Sequence, residues 1–142
     1  MKLDWMMLAN YAEVNNGLLY IAGGSWDTTT IKGPLPPEAP EGAVAMLQGF
    51  LVVRTLFHAT ETNKPHKFTI TLMDEDGGEV ANIGGEVQVG RSPGHPPGWD
   101  HGVNLAIPLT GMLLPRFGLY NFSFLIDDQH LGDRPFRVLK GY

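Results

Sequence analysis

Gly118-Leu119-Tyr120-Asn121-Phe122-Ser123-Phe124-Leu125-Ile126 sets Tyr120, Phe122, Phe124 and Ile126 against Asn121 and Ser123. A period of two places the first group on one face of a β-strand and the second on the other. Asp127-Asp128-Gln129-His130 follows as a short polar turn, and Phe136 with Val138 reads as the returning strand. Together these predict a hairpin with one buried aromatic face.

Outward from this hairpin the same signals recur. Upstream, Leu114-Pro115-Arg116-Phe117-Gly118-Leu119-Tyr120 resembles the corner before the penultimate strand of immunoglobulin-like sandwiches. There a Gly-x-Tyr lets the phenol bond back to upstream backbone, and Phe122 stands where antibody domains place a cysteine. Lys67 to Asp74 alternates Phe68, Ile70 and Leu72 against Thr69 and Thr71, then turns through Asp74-Glu75-Asp76-Gly77-Gly78 toward Glu79 to Val89. Val103, Leu105 and Ile107 alternate until Pro108, and the β-branched, aromatic run within Ala43 to Ala59 predicts a strand, with a buried helix as the alternative that periodicity alone leaves open. Residues 33 to 42 hold four prolines and residues 90 to 102 are rich in Gly and Pro, so both are loops. At the start, residues 4 to 14 lead into Asn15-Asn16-Gly17, which supplies the positive φ angles of a tight hairpin. Leu18 to Ile21 returns, with an extension past Gly23-Gly24 to Ile31. The sum is all-β: a single antiparallel β-sandwich of seven to eight strands, immunoglobulin-like or jelly-roll-like, forming one domain over residues 1–142.

Composition bounds the function. With 43% apolar and 18% charged residues among 142, the chain is globular, and 18 Gly with 11 Pro suit turns rather than helices. A net charge of −5 and ten scattered basic residues, no two adjacent, exclude a phosphate-backbone partner, so no nucleic acid is expected. The opening Met1-Lys2-Leu3-Asp4-Trp5 lacks a signal-peptide h-region, and no apolar run reaches the roughly 18 residues of a membrane span. The expectation is a soluble cytoplasmic protein with no membrane contact. Zero cysteines fit a reducing compartment and exclude disulfides and thiolate sites.

Candidate chemistry is sparse. Asp74, Asp76 and Glu79 fall in a turn that could offer oxygens to Ca²⁺, without the spacing of a calcium loop, and acidic residues with Gly are ordinary turn chemistry. Asp127 and Asp128 read the same way. His95, Trp99, Asp100 and His101 share one loop, where His58 or His66 folded nearby could complete a metal site or an acid–base pair. Their spacing matches no ligand motif, and no nucleophile elbow or phosphate-binding glycine loop is present. No catalytic residue, metal or cofactor is expected.

The apolar excess on faces that should be wet is more informative. In the first strand both Trp5/Met7 and Met6/Leu8 want burial, and Phe50, Val52 and Leu56 share a face with Gln48, Arg54 and His58. An antiparallel sheet with one solvated face does not carry such a pattern. Either the Pro-rich loops cover the second face or a partner subunit does. The leading expectation is therefore a non-enzymatic protein-interaction or self-assembly module, a homo-oligomer or the partner of another protein, anchored by Trp5, Phe50, Val52 and Leu56. The alternative is small-ligand or carbohydrate binding at the loop end through Trp26, Trp99, Asp100 and His101.

The opening residues Met1 to Glu13, the segment Pro115-Arg116-Phe117-Gly118-Leu119-Tyr120 and the segment Gln129 to Val138 resemble an uncharacterised family of short bacterial proteins, chiefly actinobacterial. The resemblance spans the whole chain. It implies a bacterial, cytoplasmic, β-rich protein and carries no catalytic residue across.

Overall fold

The computed structural model describes residues 1–141. Eleven strands follow in chain order: β1 (Lys2–Asn15), β2 (Leu18–Trp26), β3 (Thr28–Ile31), β4 (Ala45–Leu47), β5 (Phe50–Phe57), β6 (Pro65–Asp74), β7 (Glu79–Gln88), β8 (His101–Pro108), β9 (Met112–Leu114), β10 (Gly118–Ile126) and β11 (Gln129–Lys140). Among the described residues the only helical element is a 3-10 turn at Ala59–Glu61, and no helix is long and apolar enough to cross a membrane. The all-β reading stands. The count exceeds the expected seven to eight because three short strands, β3, β4 and β9, give too few residues for alternation to register.

The strands form three sheets: four strands in the order β2-β1-β5-β8, five in the order β3-β11-β10-β6-β7, and the ribbon β4-β9. The five-stranded sheet is mixed, since β3 runs parallel to β11 while its other pairs are antiparallel. The four-stranded sheet curls, its two outer strands β2 and β8 coming into contact.

The terminal hairpin forms as read. Asp127 (φ 50°) and Asp128 (φ 64°) make its turn, and Phe122 pairs across to Arg134 on β11 and Leu72 on β6. Tyr120, Phe122, Phe124 and Ile126 enter the main core against Leu8, Leu51 and Phe57 of the curled sheet. The expected corner is also present. The Tyr120 hydroxyl donates to the Arg116 carbonyl at 2.6 Å and accepts from the Arg116 amide at 3.3 Å. Tyr120→Phe removes both bonds and leaves the part-buried Arg116 carbonyl and amide without their partner. It should lower unfolding free energy by about 1–3 kcal/mol in urea titration, with the fold retained.

The single strand expected over Ala43 to Ala59 is broken in two. Gly49 sits at φ 102°, and a Cβ there would stand 2.6 Å from the Ala9 carbonyl oxygen. Only glycine admits that approach, so β4 leaves for the ribbon while β5 stays beside β1. Thr28–Ile31 is likewise no extension of β2. It crosses to the other sheet and pairs with Arg137 to Lys140.

Candidate interaction surface

β1 is long enough to serve two neighbours. Its first half pairs with β5 and its second half with β2. Along the β5 side, Met6 faces Val53 and Leu8 faces Leu51 in the main core, while Met7 opposite Val52 and Ala9 opposite Phe50 lie on the reverse face. Both faces of the strand are therefore buried, as its composition demanded. The cover over the second face is the chain's own β1–β2 hairpin. Ala12 and Leu19 of the hairpin join Ala9 and Val52, with Trp5, Met7, Phe50 and Ala106 around them, in a second small core. The Tyr11 ring meets the Phe50 ring edge-on, centroids 5.4 Å apart.

A polar chain pins the hairpin tip. Arg54 donates through Nε to Asp4 Oδ2 at 3.1 Å and through Nη1 to Asn104 Oδ1 at 3.3 Å. Asn104 Nδ2 in turn donates to the Gly17 carbonyl at 2.9 Å. Asn16 (φ 52°) and Gly17 (φ 76°) give the tip the left-handed pair of a tight hairpin turn. Arg54, out of place on an apolar face in the sequence, thus ties the curl shut.

This arrangement decides what the anticipated anchors can reach. Val52 is 0% exposed and has no surface to give a partner. Trp5 and Phe50 are half-buried at the rim of the second core, and Leu56 lies away from it, opposite Lys2 and Gly102. The open apolar surface lies instead on the hairpin itself, on both of its faces. Leu18 is 61% exposed, Tyr20 51%, Tyr11 50%, Val14 41% and Ile21 38%. The signal was in the sequence: apolar residues flank Asn15-Asn16-Gly17 on both alternating faces, more than one small core can absorb. β2 is also a sheet edge, and from Leu18 to Trp26 it carries no charged residue.

The loop-end set does not converge. Trp26 faces Leu8 across the β1–β2 pair and packs edge-on against Phe136, centroids 6.5 Å apart. His101 pairs with Phe57 at the far end of β5, roughly 23 Å along the strand from Phe50 at the usual strand rise. At that far end the His95 and His101 rings stack at 3.8 Å beside Arg91, lining an open cleft of about 210 Å³. Burial, then the His95 and Arg91 charges, pull the His101 pKa below its ordinary value. Trp99 is 65% exposed, and the Asp100 carboxylate lies 3.9 Å from Lys2 Nζ.

His66 was missed as a partner of the terminal turn. It is almost fully buried, with Nδ1 2.6 Å from Asp127 Oδ2 and Nε2 2.6 Å from the Glu61 carbonyl. Both nitrogens face acceptors, so the doubly protonated ring is the form that satisfies both contacts. Burial alone would lower its pKa, but the Asp127 and Glu61 bonds outweigh that and hold it above the ordinary value. Asp127, bonded to His66 and to the Lys67 amide, is correspondingly lowered. Asp74 and Asp76 take Arg116 at 2.7 and 3.2 Å. Among the described residues no group of three or more His, Cys, Asp or Glu is placed to hold a metal ion.

Residues 4–139 match the model of a family described as a family of unknown function (DUF6941). No curated protein and no solved structure matches the chain.

Proposed function

The chain belongs to that family, and since membership brings no activity with it, we propose from its surfaces that it is a non-enzymatic protein-interaction module whose docking element is the β1–β2 hairpin. One observation carries the reading: five large apolar side chains stand open on a hairpin whose outer strand is an uncharged sheet edge. Contiguous apolar area of this kind marks interaction sites, and an unpaired edge offers backbone hydrogen bonds to a partner strand. The reading moves the anchors from Trp5, Phe50, Val52 and Leu56 to Tyr11, Val14, Leu18, Tyr20 and Ile21. Its setting, a bacterial cytoplasm, and an immunoglobulin-like or jelly-roll-like sandwich plan belong to the same proposal; the Tyr120 corner supports the plan.

The test places a photo-crosslinking residue on the hairpin. Tyr20→p-benzoylphenylalanine, irradiated in the cells that express the chain, should give discrete protein adducts, while Glu86→p-benzoylphenylalanine on β7 should give none. If Tyr20 yields no adduct, or both positions yield the same smear, the hairpin is not a docking element.

A further inference from the structure

We infer that the partner of the β2 edge is a second copy of this chain, docked about a two-fold axis by antiparallel pairing of β2 with β2. This rests on the reading of the hairpin as the docking element and names what it docks.

The other edges are less suited to such pairing, through features that β2 lacks. β3 has four residues, and β4 and β9 three each. β7 carries Glu79 and Glu86, and β8 ends in Pro108. Short length, charge and proline are the usual means of blunting an edge. On β2 the regular run is bounded by the Asn16-Gly17 turn at one end and by positive φ at Gly23 (62°) and Ser25 (65°) at the other. That leaves Leu18-Leu19-Tyr20-Ile21-Ala22, centred on Tyr20.

An antiparallel two-fold through Tyr20 sets Tyr20 opposite Tyr20, Leu19 opposite Ile21 and Leu18 opposite Ala22. Within one copy, Tyr11 pairs with Ala22, Ala12 with Ile21 and Val14 with Leu19. The two-fold therefore extends each pair into a row across four strands: Tyr11, Ala22, Leu18 and Asn15 on one face, and Ala12, Ile21, Leu19 and Val14 on the other. Four of the five open apolar side chains fall in these rows and the fifth, Tyr20, meets its own copy on the axis; such self-complementarity is what an isologous interface requires. A strand of another sequence would have to supply it afresh.

Charge and area agree. Copies bearing −5 each repel, yet the approach along β2 brings no charge to the contact. The nearest like pair, Glu13 opposite Glu13, is separated by three strand spacings, roughly 14 Å, beyond the screening length of about 8–10 Å. At roughly 200 Å² for a whole aromatic side chain, the five open residues leave on the order of 500 Å² per copy. Two copies bring at most on the order of 1,000 Å² of side chain, the lower threshold of a specific interface, to which the paired edge backbone adds.

The chain has no cysteine, so single introduced thiols report the register without background. Tyr20→Cys should oxidise to a disulfide dimer, and Asn82→Cys on β7 should not. Leu18→Cys and Ala22→Cys should each stay monomeric on non-reducing gels when oxidised alone and cross-link when mixed. In sedimentation equilibrium the wild type should be a dimer at tens of micromolar, and Tyr20→Lys, its circular dichroism unchanged, should raise the dissociation constant on the order of a hundredfold. A wild type that stays monomeric, or a dimer that survives Tyr20→Lys without the predicted disulfides, overturns the inference. Photo-adducts of Tyr20 with a different protein would overturn the second copy while leaving the docking hairpin intact; loss of both would remove the reading beneath it.

Discussion

Phe122→Ala is expected to lower the unfolding free energy by about 3–5 kcal/mol, seen as a fall in urea midpoint at unchanged slope. Phe122 is 0% exposed in the middle strand of the five-stranded sheet, and its ring stacks on Phe136 with centroids 5.1 Å apart. Its neighbours Leu72 and Arg134 are held by strand pairing on either side and cannot move in to fill the void. The loss is a large part of the roughly 5–15 kcal/mol that a domain of this size possesses. An exposed residue of the same strand sets the contrast: Leu119→Ala, half open to solvent, should shift the midpoint by a small fraction of that. Equal losses at the two positions would place the core elsewhere.

The second large effect is a change in how stability depends on pH. The His66 pKa is raised in the fold, so its contribution is whole below the unfolded-state value near 6.5 and is lost as pH rises through the folded-state value. Asp127, lowered, contributes above about 3.9 and loses its part as pH falls through its folded-state value. His101 has the opposite sign to His66. Held neutral with its pKa depressed, it costs stability as pH falls below about 6.5, where the unfolded chain takes up a proton that the fold refuses. Stability should therefore peak near neutrality on its acid side and decline in both directions. Asp127→Asn keeps a residue that tolerates φ 50° and removes the charge, leaving a buried imidazole proton without its carboxylate. It should cost about 1.5–3 kcal/mol at pH 6 and flatten the decline above pH 6.5, read from urea midpoints across pH. A wild-type profile flat from pH 6.5 to 8.5 would mean that the fold does not raise the His66 pKa.

How much of this was legible in the sequence depends on whether the deciding contact is local. The Gly118 to Val138 hairpin, the Asn16-Gly17 turn and the Tyr120 corner are each specified within a few residues, and each formed as read. The excess apolar surface of β1 and β5 was also legible, because alternation failed on both strands at once. What covers it was not. The curl depends on Asn104 reaching Gly17, residues far apart in the chain and individually unremarkable. The break at Gly49 turns on the Ala9 carbonyl of another strand, and the fate of Thr28–Ile31 on an edge offered by β11. His66 and Asp127 are in the same position: the pair exists only because β6 and β10 are neighbours. The expected meeting of Trp26 with the His101 loop failed for the converse reason. Sharing a loop end was inferred from residue type, and residue type carries no information about which end of a sheet a strand enters.

The parallel pairing of β3 with β11 fixes the order in which the chain can finish folding. Thr28 lies beside Arg137, about a hundred residues onward, and β1 and β5 are joined over some fifty. Few native contacts can form before most of the chain is present, which places refolding in the slow, millisecond-to-second range of non-local β topologies. Throughout that interval Leu18 to Ala22 is a neutral, apolar strand with nothing beside it. The segment suited to pairing with a copy of itself in the finished molecule is then the segment by which half-folded chains would aggregate, so concentration during refolding governs the yield.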